Sequence, residues 1–444
     1  MKDLRFKIVV LIIIAWFFEG VLRIAIGNYG KIITEGMLIA GGIHALASRK
    51  TVSKQGIRFL VCLLSSLLWI VFSCLALGIP ILTGLIYYRQ LFWIAGFILL
   101  LEEKPFSEAE AYFLIKLCSF LIILQIILSC IYYVLGHREE YIVGTLCSTG
   151  GELATVFTLI GLSIMIGMGI FVNKIYLFLF PSAFMIGLAS GKRAIFVFVP
   201  VFVLLLFAII RYKMRSSLKN NIKLYNKALR YLFLIIIAII PVAPYFITQV
   251  KFEINDVDLN KVNLSEYLFE VFSNYVTGTG KEYETVEGDS TSRIQNLKSG
   301  MAKSFESSEM FFWGVGADAF KVSEFNTKKL QLGMYYGVVG IANDALSNGI
   351  PFAILMLWFF LLLFQSVSKI SIDSLSPWGK ASLASYYGFF LSFILIHFLY
   401  GDSFVQSPLV LCIMVLYPEL LKALEHPIDH APVTDSMPQD ALNA

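Results

Sequence analysis

Long apolar runs separated by short polar connections occupy most of the chain. A helix needs about 20 mostly apolar residues to cross the hydrocarbon core of a bilayer. By this criterion the sequence predicts an all-α integral membrane protein with about twelve transmembrane helices. The candidate spans lie at 6–27, 31–48, 59–78, 84–101, 112–135, 152–171, 175–190, 194–210, 229–248, 350–367, 382–400 and 405–422.

One polar stretch is much longer than the other connections and divides the chain. We predict an N-terminal bundle of about nine helices over 1–248 and about three further helices over 350–422. Between them, 249–349 forms one large loop with short helices of mixed character. This loop holds nine Lys and Arg against fourteen Asp and Glu, and loops of this length commonly have a function. The tail at 423–444 is predicted to be disordered.

The basic residues in the short connections predict the orientation. Lys and Arg concentrate in cytoplasmic loops of membrane proteins. With twelve spans, all four basic segments fall on one side, so both termini are predicted to be cytoplasmic and the loop at 249–349 to lie outside. The segments contain Lys2, Arg5 and Lys7; Arg49, Lys50, Lys54 and Arg58; Arg211, Lys213, Arg215, Lys219, Lys223, Lys227 and Arg230; and Lys369 and Lys380.

Composition supports the membrane assignment and narrows the chemistry. Hydrophobic residues make up 58% of the 444-residue chain and charged residues 15%. The mean hydropathy is +0.76, far above that of a soluble domain. The six cysteines form no C-x-x-C pair and the five histidines no H-E-x-x-H motif, so we expect no metal and no cofactor. No basic, nucleic-acid-binding pattern stands out, and we expect no nucleic-acid partner.

Charged and polar side chains within the apolar runs fall toward one surface of the predicted bundle. With the orientation above, nearly all of them lie in the outer half of the membrane. Charge in or beside a bilayer is costly and commonly marks a functional site. These side chains belong to Glu19, Arg23, Lys31, Glu35, Arg89, Glu152, Lys192, Arg193, His397 and Asp402.

Structural roles stay open for most of these residues. Glu19 and Arg23 are four residues apart and can neutralise each other, as can Lys31 and Glu35. A functional role is favoured over a structural one for Arg193 and for Arg293 in the loop. A planar guanidinium binds two phosphate oxygens at once and stays charged. The remaining alternatives are snorkelling for Lys192, interfacial anchoring for Arg89, packing for His397 and a helix boundary for Asp402.

Three segments, in order, resemble the O-antigen polymerase and ligase superfamily. The stretch Ala189-Ser-Gly-Lys-Arg-Ala194 is similar to a small-residue motif of that family that ends in Ser-Arg, with Lys192 in place of the serine. The stretch Ser290 to Gly300, followed by Trp313-Gly-Val-Gly-Ala-Asp-Ala-Phe320, is similar to its loop arginine and its G-x-G-x-x-F signature. The stretch Ala342-Asn-Asp-Ala-Leu-Ser-Asn-Gly349 looks like its H-N-x-x-L segment.

The resemblance implies a multispanning, metal-independent glycosyltransferase of the GT-C type at the outer face of the plasma membrane. Its donor would be a glycan linked to undecaprenyl pyrophosphate, and Arg193 and Arg293 would match the arginines that hold the pyrophosphate. Ligases of the family have a histidine where this chain has Ala342. This difference favours a polymerase that joins oligosaccharide repeat units of O-antigen, capsule or exopolysaccharide.

A polymerase mechanism assigns roles to the candidate residues. A hydroxyl of one lipid-linked unit attacks the anomeric carbon of the growing chain, and the lipid pyrophosphate leaves. Arg193, Arg293 and Arg89 would stabilise the charge that builds on the leaving group. A carboxylate would accept the proton from the hydroxyl. Candidates for that carboxylate are Glu19, Asp344 and Asp402, and Lys192, Arg23, Gly314, Gly316 and Asn343 are further candidates for substrate binding.

Partners and alternatives follow from the same interpretation. The polymerase would work in the lipid bilayer, with a chain-length regulator and a flippase as protein partners. An O-antigen ligase that transfers polymer to lipid A core is the first alternative. A polysaccharide flippase or secondary transporter is the second, although transporters commonly have repeated halves, and the chain shows no internal repeat.

Overall fold

The protein is described here from a computed structural model. The described residues are 4–27, 29–48, 52–135, 152–189, 194–218, 222–239, 273, 283–284, 290–291, 293–316, 340–399 and 408–425. Helices dominate this part of the chain, and the loop contributes one short antiparallel pair, β1 (Tyr283–Glu284) with β2 (Ser290–Thr291). Of the predicted site residues, Lys192, Arg193 and Asp402 lie outside these ranges, and Arg23 and Arg293 are described by their backbone alone.

The described helices follow one another along the chain, and most connections outside the large loop are short. A 3₁₀ turn at Lys174–Leu179 precedes the ninth. They are α1 (Leu4–Phe17), α2 (Glu19–Ile26), α3 (Tyr29–Ser48), α4 (Lys54–Ala76), α5 (Ile81–Tyr87), α6 (Arg89–Glu102), α7 (Glu108–Val134), α8 (Glu152–Phe171), α9 (Phe180–Ala189), α10 (Ile195–Lys213), α11 (Arg215–Leu218), α12 (Ile222–Ile239), α13 (Arg293–Ser304), α14 (Ser308–Trp313), α15 (Gly340–Ser368), α16 (Pro377–Leu399) and α17 (Pro408–Ala423).

Several of these helices are long and apolar enough to cross a membrane. Within the described residues, α4, α7, α10, α15 and α16 meet that criterion by length and composition. The pair α5 and α6 adds a sixth if it forms one span, and its two parts are bent by 58°. Helices lie, in whole or in part, at the positions of all twelve predicted spans. The membrane class of the fold is therefore supported, whereas the number twelve stays a prediction.

Local sequence signals account for the starts of the two long helices that begin with serine caps. The Ser53 hydroxyl accepts a hydrogen bond from the backbone N–H of Gly56 at 3.0 Å, which caps α4. Ser107 and Glu110 form a capping box at the start of α7, in which each side chain bonds the backbone N–H of the other. Such caps satisfy amides that would otherwise be left without acceptors at a helix terminus.

Small residues bring two pairs of helices into close contact. A Cβ placed on Gly42 of α3 would lie 3.0 Å from the Cα of Gly96 in α6. Between α8 and α16, a Cβ on Gly167 would lie 2.8 Å from the Ser385 hydroxyl, and Gly388 packs on Ser163. Small residues allow this approach and are typical of helix contacts in membranes, where packing replaces the hydrophobic driving force. The α8–α16 pair forms the buried centre of the bundle.

Polar contacts collect at two opposite ends of the bundle. At one end, Ser53 donates its backbone N–H and its hydroxyl to the Glu102 carboxylate, at 2.9 and 2.8 Å. Tyr112 donates to Ser376 at 2.6 Å at the same end. The other end holds Arg89, and we call it the Arg89 end. Since α8 and α16 run antiparallel, the first turns of α8 and the last turns of α16 also lie there.

The helix α15 begins earlier than the sequence pattern indicated. The predicted border between the loop and the next span lies at 349/350, but the structure has helix from Gly340 onward. A break at Asn348 and Gly349 separates a short first part from the long apolar second part. The polar residues Asn343 and Asp344 therefore lie in a buried helical segment and not in an exposed loop.

Candidate functional site

The break in α15 leaves backbone carbonyl groups without their usual helical partners. Pro351 has no N–H to donate to the Ser347 carbonyl, and Gly349 has a φ of +82° that ends the helical path. Amides from the loop replace the lost donors. The Val315 N–H donates to the Leu346 carbonyl at 2.7 Å, and the Gly316 N–H donates to the Ser347 carbonyl at 3.0 Å.

Glycines make this contact sterically feasible. Gly314 has a φ of +69° and Gly316 a φ of +99°, conformations that glycine adopts at little cost. A Cβ on Gly314 would run into the Leu346 carbonyl oxygen, and one on Gly349 would lie 2.7 Å from the Phe311 carbonyl oxygen. The glycine signature of the loop and the segment ending at Gly349 are thus in direct backbone contact.

Helix α4 binds both partners of this contact. The Trp69 indole N–H donates to the Asn348 carbonyl at 2.9 Å. The Trp69 ring stacks on the Trp313 ring, with centroids 5.2 Å apart and planes 20° from parallel. The Ser73 hydroxyl donates to the Trp313 carbonyl at 2.8 Å. We call the break, the loop residues on it and these two α4 side chains the break site.

An acid and a histidine meet just before the break. The Asp344 carboxylate oxygen Oδ2 lies 3.7 Å from His397 Nε2, and both side chains are almost fully buried. Phe360 and Phe398 surround the imidazole, with ring centroids 5.5 and 5.6 Å from it. Burial of two ionisable groups is costly unless they interact with each other or with other polar groups, so this arrangement marks a specific site.

A buried tyrosine connects the break in α15 with the residue before Arg89. The Asn348 side-chain amide donates to the Tyr88 hydroxyl at 2.6 Å. Tyr88 is fully buried and packs edge-on against Phe352, with ring centroids 5.0 Å apart. Its neighbour in sequence is Arg89, the first residue of α6. The bend between α5 and α6 therefore places an arginine beside the break site.

Arg89 is held in position but remains accessible. Its Nε donates to Glu35 Oε1 at 3.1 Å, and one terminal nitrogen donates to the Ile86 carbonyl at 3.0 Å. The guanidinium also lies 5.4 Å from the centroid of the Trp93 ring. About 29% of the side chain is exposed, so an anion could reach it. Glu35 therefore pairs with Arg89, whereas the Lys31 side chain is not described and its pairing with Glu35 stays a prediction.

Glu19 and Asn343 are also placed at this end of the bundle. Glu19 is buried and begins α2, next to Phe17, whose ring packs 6.3 Å from that of Phe157 in the first turns of α8. Asn343 is buried beside Asp344. Six of the predicted site residues thus gather near the Arg89 end: Glu19, Arg89, Gly314, Gly316, Asn343 and Asp344.

The other predicted site residues are located less fully. Arg293 is the first residue of α13 and Arg23 lies in α2, but only their backbone positions are described. Leu297, one turn after Arg293, packs against Ala342 and Leu346. Residues Lys192, Arg193 and Asp402 lie outside the described residues. Ile195, two residues after Arg193, begins α10 and packs against Gly187.

No protein-family model matches the chain, and no curated protein is significantly similar to it. The family resemblance thus stays a prediction that depends on the three motifs.

Some residues of the site were not identified from the sequence. In the sequence, nothing distinguishes Trp69, Ser73 and Tyr88 from other residues of apolar runs, and for His397 packing is an open alternative to a functional role. The break itself had a signal, since Asn348-Gly349 followed by Pro351 is a typical helix-breaking pattern. Among the described residues, no group of three or more His, Cys, Asp or Glu side chains could hold a metal ion.

Proposed function

We propose that the protein is a polysaccharide polymerase. It joins oligosaccharide repeat units that are linked to undecaprenyl pyrophosphate, at the outer face of the plasma membrane. The proposal includes a GT-C-like bundle of about twelve spans with both termini in the cytoplasm. A chain-length regulator and a flippase would be its protein partners.

One observation supports this proposal most strongly. Two of the three family-like motifs, distant in sequence, are in direct backbone contact through Val315 with Leu346 and Gly316 with Ser347. This contact lies beside the Asp344–His397 pair and near Arg89. Motifs that matched by chance would have no reason to share one site. A common role for them is the simplest explanation.

The proposed chemistry uses fixed positive charge at a membrane surface. Negative charge grows on the pyrophosphate as the glycosidic bond to the lipid breaks. Positioned arginines stabilise that transition state more than the ground state, which lowers the barrier. Glu35 restricts the motion of Arg89, so little reorganisation is needed when the substrate binds. Arg193 and Arg293 would complete the pyrophosphate site, and Glu19, Asp344 or Asp402 would accept the proton.

The decisive experiment is gel analysis of the surface polysaccharide and of the lipid-linked glycans from a deletion strain. Loss of a polymerase leaves single repeat units. Complementation with the Arg193→Ala variant should reproduce that phenotype at a normal membrane level of protein. Arg215→Ala, which removes an exposed arginine from the predicted cytoplasmic side, is the matched control and should restore long chains.

The same gel separates the alternatives. Long polymer accumulating on the lipid carrier in the deletion strain would indicate a ligase. Repeat units that never reach the outer surface would indicate a flippase or transporter. Normal chain length with Arg193→Ala would contradict the assignment of that arginine.

A further inference from the structure

Large aromatic side chains are exposed on the described part of the loop. Phe305 is 59% exposed and Phe312 is 46% exposed. They flank Phe311, whose ring lies 5.5 Å from that of Phe305 and 5.1 Å from that of Phe312. Together the three rings form a contiguous apolar patch, which we call the phenylalanine patch. Patches of this kind usually have a binding partner.

The backbone under the phenylalanine patch is fixed to the transmembrane helices. The carbonyl groups of Phe311 and Phe312 pack directly on Gly349 at the break of α15. The carbonyl of Trp313, the next residue, accepts a hydrogen bond from Ser73 near the end of α4. The depth of the patch is therefore set by the ends of α4 and of the long part of α15.

The two helices under the patch have exposed apolar stripes with helical spacing. Both helices are long and apolar enough to cross a membrane, so their exposed stripes face lipid. The phenylalanine patch lies at the end of these stripes. On α4 the stripe consists of Val61, Leu64, Leu68, Phe72 and Leu75, and on α15 of Ile354, Trp358 and Leu361.

Charged and polar residues adjoin the patch in the same segment. Glu306, Ser308 and Glu309 are exposed, and Glu306 pairs with Lys303 at 2.8 Å. A short segment that combines aromatic rings with charged groups is typical of the boundary between lipid and water. Its position at the end of the lipid-facing stripes makes phospholipid the partner that best fits the aromatic rings.

We propose that the phenylalanine patch inserts into the bilayer, so that residues 305–313 of the loop rest on the membrane surface at the Arg89 end. The loop then contacts lipid through the phenylalanine patch and contacts the transmembrane helices through the break site. This inference does not depend on the glycosyltransferase function.

The test places an environment-sensitive fluorescent amino acid at one position at a time by stop-codon suppression in the full chain. The variants are Phe312→fluorophore, Phe305→fluorophore and, as a control at an exposed polar position of α13 in the same loop, Ser299→fluorophore. Each protein is reconstituted in phosphatidylcholine vesicles with or without brominated acyl chains. Quenching by brominated lipid is compared with quenching by iodide in the water phase.

We expect brominated lipid to quench positions 305 and 312 at least threefold more than position 299, and iodide to show the reverse order. Equal quenching of all three positions by iodide would overturn the proposal. Weak quenching of 305 and 312 by both agents would also overturn it, because the patch would then be covered by protein. Two positions on the patch guard against a single variant that fails to fold.

Discussion

Trp69 and Trp313 stack face to face although they are far apart in sequence, with ring centroids 5.2 Å apart. Trp69 also donates its indole N–H to the Asn348 carbonyl. One side chain of α4 thus binds both the loop and the broken helix on which the loop packs.

The first prediction concerns this indole. Trp69→Phe keeps an aromatic ring but removes the N–H donor, so it should lower the free energy of unfolding by about 1–2 kcal/mol, because the Asn348 carbonyl loses its partner. Trp16→Phe is the matched control, since the Trp16 N–H is buried without a hydrogen-bond acceptor among the described residues. The measurement is thermal unfolding of the purified protein in detergent. Equal losses for the two variants would contradict the role of the hydrogen bond.

The second prediction separates backbone strain from packing at the break site. Gly314→Ala should destabilise the protein by more than the roughly 1–3 kcal/mol that a positive-φ conformation costs a non-glycine residue, because its Cβ also meets the Leu346 carbonyl. Gly78→Ala is the control, with a φ of +66° and no atom within 4 Å of the added Cβ. Thermal unfolding of the two variants gives the comparison. A loss at Gly314 no larger than at Gly78 would show that the close packing is unimportant.

The third prediction distinguishes the two roles of Arg89. Exchange of the charges in the double variant Glu35→Arg with Arg89→Glu should keep an ion pair and leave folding nearly unchanged, because exposed pairs contribute about 0–1 kcal/mol. If Arg89 binds the pyrophosphate, the same variant should shorten the polysaccharide strongly. Gels of polymer length and size-exclusion profiles of the protein are the measurements. Polymer of normal length from the double variant would show that Arg89 has only a structural role.

The fourth prediction concerns the Asp344–His397 pair. Asp344→Asn and His397→Gln should each destabilise the protein, and the double variant should lose less than the sum, with a coupling of about 0.5–3 kcal/mol. Ser129→Ala, in the distant helix α7, is the control partner for Asp344→Asn and should be additive. Thermal unfolding of the complete set of variants gives the coupling. Additivity for Asp344 and His397 would mean that the two side chains do not interact.

The sequence was sufficient to predict the positions of the helices and the end of the bundle at which polar residues gather. Apolar length placed a helix at each predicted span, since local hydrophobicity is a property of short segments. The distribution of basic residues predicts that Glu19, Glu35, Arg89 and His397 lie toward one surface, and in the structure they lie at one end of the bundle. The number of these helices that cross the membrane stays a prediction.

The partners within the site could not be predicted from the sequence in the same way. Ser73 and Trp313 are 240 positions apart, and nothing in an apolar run distinguishes a serine that bonds a distant carbonyl from one that bonds its own helix. Ser66, for example, donates to the Cys62 carbonyl one turn away. Contacts of this kind depend on how the helices pack, which no local pattern encodes.

The close approach of Gly42 and Gly96 couples helix packing to the position of a charge. Glu35 and Arg89 each precede one of these glycines by seven residues, which is about 10 Å along a helix axis. A methyl group added to Gly42 would lie 3.0 Å from the Gly96 backbone and push the two helices apart, and with them the acid and the guanidinium. A screen for inactive variants would then select an uncharged position about two helical turns from the charges, and its defect would resemble the loss of a residue that binds substrate.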